Sequence, residues 1–554
     1  MKACFWVASC LVLSNSALAL DLSMPSIFAD HMVLQRNQQA PVWGTADAGA
    51  AVVVEFGAQQ KHAVADADGR WRVDLDPLEA SSEARVLRIA ATLADDTAAR
   101  EIADVVVGEV WLCGGQSNMY RPFRMLVGPA VDPAYEPVAE YLRDEAANAN
   151  DPLLRQYRVG PDYSPLEART QGRGNWSRAA PREVNEFCGT AYFFGRQLRR
   201  ELGVPVALIS CNLGATRIEP WMPPQAFESG EALKQEYQSS LAAYQNRLEQ
   251  WDDDRERAKY ARALEEWKKA RAQARRAPKE PQKPEHPSRD KQFCGTLYHG
   301  MVRPLIPYAV KGAIWYQGES NSGYLPEQYG RRMVALIQGW RAAWGQEEFY
   351  FYWCQLASYR SANDDPVGDE DTWALVQDGQ RYALKLPDTG MAVLNDIGEA
   401  RDVHPKNKVD AGKRLALWAL KQAYGRDIVC SGPLFREAKA SGSRVVVAFD
   451  HAGSGLMVGR KQLMAPTQEV DEPLKRFQIC GSDGRWRWAE ARIVGTDSVE
   501  VWHDEVPHPV EVRYAWSSNP EGANLYNKEG LPASLFKTTN LRLQDEAPRQ
   551  TPYR

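Results

Sequence analysis

Cysteine is scarce in this chain: nine in 554 residues, and two of them, Cys4 and Cys10, fall within the first ten positions. The other seven are Cys113, Cys188, Cys211, Cys294, Cys354, Cys430 and Cys480. Their wide spacing excludes a disulfide-dense scaffold and a Cys-based zinc site. An oxidising compartment would permit a bridge such as Cys188–Cys294 without requiring one. Histidine is also scarce, with eight residues and no ligand spacing, so no metal and no cofactor are expected. No convincing phosphate-loop or dinucleotide fingerprint occurs. A dominant charge is missing too: 67 Lys and Arg against 72 Asp and Glu leave a formal charge of -5, unlike a dedicated nucleic-acid binder. Beyond the N terminus no apolar run is long enough for a membrane span.

The first 19 residues read as a signal peptide. Lys2 supplies the positive start, the run from Phe5 to Leu13 the apolar stretch, and Ala17-Leu18-Ala19 the small-residue cleavage site. Val7-Ala8-Ser9-Cys10 resembles a lipoprotein site only faintly. The expectation is an exported protein, secreted or periplasmic. Tryptophan and tyrosine are plentiful, at 18 and 22. Such rings stack on the apolar faces of sugars, although most in any globular protein serve the core.

At about 100–200 residues per domain, the length implies several units. Residues 20–104 carry short strand-like runs, including Val52-Val53-Val54-Glu55-Phe56 and Trp71-Arg72-Val73-Asp74-Leu75, separated by turns such as Asp66-Ala67-Asp68-Gly69. A β-sandwich-like domain is the natural solution. From Val105 the texture changes: Val105 to Cys113 is nearly all apolar, as in a strand of a buried parallel sheet. Similar runs at 206–210, 313–316, 349–353 and 391–394 alternate with amphipathic helical stretches at 192–202 and 329–344. Alternation of this kind implies an α/β domain over residues 105–427. Residues 229–290 interrupt it with a charge-rich helical hairpin and an exposed Pro- and Lys-rich return loop. The charge run reads as a solvated helix face. From 428 to 554 the pattern is β-rich again.

The chemistry concentrates where the first apolar strand runs into Gly114-Gly115-Gln116-Ser117-Asn118-Met119. A serine on a tight turn at the carboxyl end of a sheet strand can present its hydroxyl to a bound carbonyl. Asn118 and Met119 distinguish this turn from the Gly-x-Ser-x-Gly elbow. His404, in Asp402-Val403-His404-Pro405, follows the last apolar strand and can return over the sheet edge to Ser117. Asp396, Glu399 and Asp402 are the acidic residues available to orient it.

Four blocks then resemble one family. They are Gly115 to Met119, Asn212 to Trp221, Trp315 to Asn321, and Asp396 to Glu399 with Asp402 to Pro405. Together with Phe28 to Arg36 and Pro41 to Gly44, they resemble the sialate O-acetylesterase branch of the SGNH hydrolases over nearly the whole chain after residue 19. The resemblance implies an SGNH-type, flavodoxin-like three-layer catalytic domain with a parallel sheet, flanking β-sandwich-like domains and a helical insertion. It implies Ser117 as nucleophile, His404 as general base, and an oxyanion hole from the amides of Ser117 and Gly214 with the side chain of Gln317. Many relatives carry an acidic residue three positions before the His; here that position is Arg401, and Asp402, two before, takes the orienting role by side chain or carbonyl.

Gln116, Asn118, Arg217, Glu219 and Trp221 are the candidate substrate contacts, with Trp221 stacking on a sugar and Glu219 accepting from sugar hydroxyls. An internal Arg217–Glu219 ion pair is the competing reading. The expected substrate is an acetylated carbohydrate, with hemicellulose such as xyloglucan favoured. A sialate 9-O-acetyl ester is the alternative, and a non-catalytic secreted glycan-binding protein a third reading. No nucleic acid and no membrane span are expected. The oligomeric state is not written in the sequence.

Overall fold

A computed structural model describes residues 20–130, 132–274, 278–366 and 370–538. The signal-peptide reading of residues 1–19 and the end of the C-terminal region, 539–554, lie outside the described residues.

A mixed α/β architecture surrounds an 11-stranded sheet. Seven strands form its main path: β1 (Asp96–Gly115), β2 (Asp151–Val159), β3 (Gly174–Ala179), β4 (Val206–Asn212), β5 (Gly312–Tyr316), β6 (Tyr350–Cys354) and β7 (Thr389–Ala392). Their order is β3-β2-β4-β1-β5-β6-β7. All neighbours are parallel except the antiparallel pair of β2 and β3. The apolar run beginning at Val105 has the reason expected of it: every residue from Val105 to Gly115 is buried. Trp111 packs its ring against Phe194, whereas a Cβ on Gly114 would meet Trp340. Residues of opposite parity point to opposite faces, so helices cover both sides of the sheet. One side holds α1 (Gly189–Leu202), which crosses α6 (Lys408–Trp418) so closely that a Cβ on Gly412 would come within 2.6 Å of the Thr190 carbonyl oxygen. The other side holds α4 (Tyr329–Trp344), which packs on α5 (Thr372–Tyr382).

Strand β1 runs without a break through position 104. Its first part pairs antiparallel with Ser81–Leu93 in the N-terminal β region, and its later part lies between β4 and β5. Asp104, at φ 54°, bends the strand between the two roles. The adjacent N-terminal sheet joins Leu22–Ser23, Ala40–Ala46 and Arg70–Leu75.

Between β4 and β5 two helices stand out, α2 (Glu231–Glu249) and α3 (Asp253–Gln273). Helix α2 buries only Leu233 and Tyr244, and α3 buries nothing, so the charged residues face water. After residue 430 the described chain is β. Strands Leu434–Ser441, Arg444–Asp450, Ser498–Trp502 and Glu490–Val494 form one antiparallel sheet, and Trp486–Trp488, Phe477–Cys480, Glu511–Tyr514 and Phe536–Lys537 form another. Val445, Val447, Phe477, Tyr514 and Phe536 belong to a core that the two sheets share.

All seven cysteines from Cys113 onward are buried free thiols, so the permitted Cys188–Cys294 bridge does not form. The Cys188 thiol instead lies 2.9 Å from the Ser210 hydroxyl. Among the described residues, no helix is long and apolar enough to cross a membrane.

Candidate active site

Register puts three blocks at one level: Asn212 of β4 is opposite Gly115 of β1, and Gly115 is opposite Tyr316 of β5. All three strands therefore end at the same crevice, the place where open parallel sheets bind ligands. Gly115 makes the exit possible. Its φ is +132°, and a Cβ there would fall 2.2 Å from the Tyr316 carbonyl oxygen. Ser117 opens the one-turn helix that follows (Ser117–Tyr120).

The Ser117 Oγ is 2.9 Å from His404 Nε2. Asp402 accepts the backbone N–H of His404 on Oδ1 at 2.9 Å, and the same oxygen lies 3.4 Å from His404 Nδ1. Burial pushes the Asp402 carboxyl upward, but the bonds from the His404 ring and backbone and the charges of His404 and Arg121 outweigh it. The carboxyl ends below its ordinary value of 3.8. Arg121 Nη2 is also 2.9 Å from His404 Nδ1. On the other side of the serine, a Cβ on Gly214 would lie 3.7 Å from Ser117 Cβ. The described residues supply no acceptor for the backbone N–H of Ser117 or of Gly214. A Ser–His pair beside two uncommitted N–H donors can form a covalent ester and hold a tetrahedral oxyanion.

The residues around this centre depart from the substrate-contact reading, and burial is the reason. Trp221 is fully buried: its ring packs edge-on against Trp315, and its indole N–H donates to Thr216 Oγ1 at 3.1 Å, so no sugar can stack on it. Glu219 is buried and paired at 2.8 Å with the equally buried Arg332, and it also accepts from Asn321. Arg217 reaches Glu219 only at 4.0 Å and lays its guanidinium over the Tyr324 ring, 3.9 Å from the centroid. The ion pair of Glu219 is therefore made chiefly with Arg332, a residue of α4 that chain proximity did not suggest.

Gln116 is buried, and its Oε1 accepts from Ser320 N–H and Gln317 Nε2, both at 3.2 Å. Asn118 is buried as well. Its Nδ2 donates to Glu319 and to the Val403 carbonyl, and its Oδ1 accepts from Lys408 Nζ. It ties the serine turn to the histidine loop. Burial raises the Glu319 carboxyl and lowers the Lys408 ammonium to about 8, from an ordinary 10.5. Gln317 is fully buried; its amide donates to Asn321 Oδ1 at 2.8 Å and Thr216 O at 3.1 Å, and its Oε1 accepts from the Tyr329 hydroxyl at 2.8 Å. It braces the 216 region from behind and has no N–H spare for an oxyanion.

Asp396 pairs with Arg414, and Glu399 accepts the Lys406 N–H, so neither holds His404. The sequence assigns no role to Arg121, four residues after the serine, and no motif marks Lys408 or Gln292. Among the described residues, no group of three or more His, Cys, Asp or Glu side chains is arranged to hold a metal ion.

The chain as a whole is similar to known proteins. A sequence-family model described as a carbohydrate esterase, sialic acid-specific acetylesterase, matches residues 282–421. Sialate O-acetylesterase of Rattus norvegicus is 27% identical, over 92% of this chain and 93% of the rat protein. The Homo sapiens protein of the same name is 28% identical, over 92% of this chain and 91% of its own. The crystal structure of a carbohydrate acetylesterase from Xanthomonas citri is 34% identical, with a TM-score of 0.73, covering 93% of this chain and 99% of that one.

Proposed function

The chain belongs to this family of carbohydrate acetylesterases, and we propose that it hydrolyses O-acetyl esters of glycans through an acetyl-Ser117 intermediate, within a catalytic domain of SGNH type. The observation that carries the proposal is the 2.9 Å contact of Ser117 Oγ with His404 Nε2, flanked by the free N–H groups of Ser117 and Gly214.

The reaction follows from those atoms. His404 takes the Ser117 proton on Nε2 while Oγ bonds to the acetyl carbonyl carbon. The electron pair of the carbonyl moves onto oxygen, where the N–H groups of Ser117 and Gly214 stabilise it. The intermediate collapses, the bond to the sugar oxygen breaks, and that oxygen takes the proton from His404. Water then attacks acetyl-Ser117, again giving its proton to His404. Acetate leaves as the proton returns to Ser117 Oγ. For Nε2 to act as base, Nδ1 must carry the hydrogen, and the Asp402 carboxylate 3.4 Å away is the group that favours this tautomer.

For the substrate, burial of Trp221 removes the stacking platform on which a neutral hemicellulose backbone would have rested. The mammalian relatives are named sialate O-acetylesterases, and the cation Arg121 stands within 2.9 Å of the histidine ring. Both favour an O-acetylated sialic acid, whose carboxylate answers a positive charge, over acetylated xyloglucan. The residue 1–19 reading places the enzyme outside the cytoplasm. Acetate release from 9-O-acetylated sialic acid, acetylated xyloglucan and acetylated xylan, measured side by side, tests the reading. No release from any of them, from a folded protein, would sink it; release from xyloglucan alone would restore the hemicellulose assignment.

A further inference from the structure

We infer that Gln292, at the foot of the return loop behind the helical insertion, is a positioning residue that clamps the loop bearing the Gly214 oxyanion donor. The inference rests on the esterase reading of Ser117 and Gly214.

The loop after β4 needs holding. Ala215 has φ 55°, the left-handed region, which costs a residue with a Cβ about 1 kcal/mol or more. Behind the loop, Gln317 donates to Thr216 O and Leu213 N–H donates to Gly115 O at 3.1 Å. In front, one residue does nearly everything. Gln292 Oε1 accepts the backbone N–H of Arg217 at 3.1 Å and its Nε at 3.3 Å. Gln292 Nε2 donates to Ala215 O at 2.8 Å, and the Gln292 carbonyl accepts Arg217 Nη2 at 3.2 Å. Its neighbour Lys291 donates from Nζ to Gly214 O at 3.3 Å. Every polar group of the Gln292 side chain is thus spent on the segment from Ala215 to Arg217, next to Gly214, where a Cβ would lie 3.7 Å from Ser117 Cβ.

The insertion explains how Gln292 is held there. Asp290 Oδ1 accepts the Gln292 N–H at 2.9 Å, and Asp290 Oδ2 is paired with Arg247 of α2 at 2.6 Å. Phe293 packs against Tyr244 of the same helix, ring centroids 4.8 Å apart. Helix α2 anchors both flanks of the clamp, which gives a solvated hairpin a task at the catalytic centre. An oxyanion donor displaced by a fraction of an ångström loses much of its effect, because its worth depends on being placed in advance.

The test compares Gln292→Ala with wild type on 4-nitrophenyl acetate, together with inhibition by a small alkylboronic acid that forms a tetrahedral adduct on the serine. The expected result is a fall in kcat of about tenfold, a KM within about twofold, an equal loss of boronate affinity, and an unchanged melting midpoint. Wild-type kcat and boronate affinity would overturn the clamp, as would a lowered midpoint with unchanged kcat. Should Gln292→Ala fail to fold, Gln292→Glu serves. It keeps the acceptor for Arg217 and loses the donor to Ala215 O, and it should show a smaller loss of the same pattern; wild-type kinetics would count against the clamp. Ser117→Ala separates the two readings. If it is inactive while Gln292→Ala behaves as wild type, the clamp alone fails. If it is active, the esterase reading fails first.

Discussion

Arg121 Nη2 stands 2.9 Å from Nδ1 of His404, closer than the Asp402 oxygen at 3.4 Å. A guanidinium only donates, so a ring nitrogen facing it must present a lone pair, and Nε2 then carries the hydrogen. In that tautomer His404 donates to Ser117 Oγ and cannot act as its base. Arg121 and Asp402 thus ask for opposite tautomers, and turnover requires the one that Asp402 favours. Arg121→Met removes the rival donor. The expected outcome is a kcat on 4-nitrophenyl acetate equal to or above wild type, with weaker binding of a carboxylate-bearing sugar read in KM. A loss of kcat of tenfold or more on the neutral ester would show that Arg121 assists the chemistry instead.

Removal of the nucleophile or base has the largest effect. Ser117→Ala and His404→Ala are each expected to lower kcat by on the order of 10⁶-fold while far-UV circular dichroism stays unchanged. Neither loss is expected to add to the other in the double variant.

Asp402→Asn keeps the cap on the His404 N–H through the amide oxygen but removes the charge. Up to about 10⁴-fold should be lost in kcat if the carboxylate sets the tautomer. A variant within a few-fold of wild type would leave only the backbone role. The folded carboxyl lies below its ordinary 3.8, so its stabilisation is fully present above that pH and is lost as the pH falls through the folded value. The urea-midpoint gap between wild type and Asp402→Asn should therefore be flat above about pH 5 and close progressively below it.

Lys408 carries the opposite signature. Its folded value of about 8 is below the ordinary 10.5, so between those pH values the unfolded chain binds more protons. Stability from this group therefore rises with pH across that window. Relative to Lys408→Met, wild type should gain about 3 kcal/mol between pH 8 and 10.5. Denaturant melts of the two proteins over that range check it; a gap that stays constant would mean the ammonium is not penalised.

Gln317→Ala leaves the Thr216 carbonyl, Asn321 and the Tyr329 hydroxyl short of a partner in a buried place. The expected cost is about 1–3 kcal/mol of stability. The fall in kcat should be below the 10²–10³-fold loss of a direct oxyanion donor. Calorimetry and steady-state kinetics on one preparation give both figures.

The meeting of Ser117 and His404 was legible because each is fixed by its own stretch of chain: a strand end with Gly115, and a loop between the last apolar strand and a helix. Strand and helix alternation was legible for the same reason, since periodicity is local. Trp221 and Glu219 were misjudged because closeness in sequence to a catalytic loop says nothing about which way a side chain faces. Only the packing of Trp315 and the arrival of Arg332, more than a hundred residues later, turn them inward. The clamp by Gln292 was hidden for a related reason. Its partners are about 75 residues away, across an insertion whose own pattern reads as solvated charge.

The strand Asp96–Gly115 has a consequence for engineering. Since one length of backbone serves the N-terminal β region and then carries the nucleophile turn, the two cannot be exchanged as cassettes between homologues by a cut at position 104. Val33–Gln35 pairs with residues 106–108 of the same strand, so a chain beginning at residue 105 would bare part of a stretch that is buried from Val105 to Gly115. Such a truncation should be recovered as aggregate, and recombination between relatives should succeed only where the crossover leaves this strand and its partners from one parent.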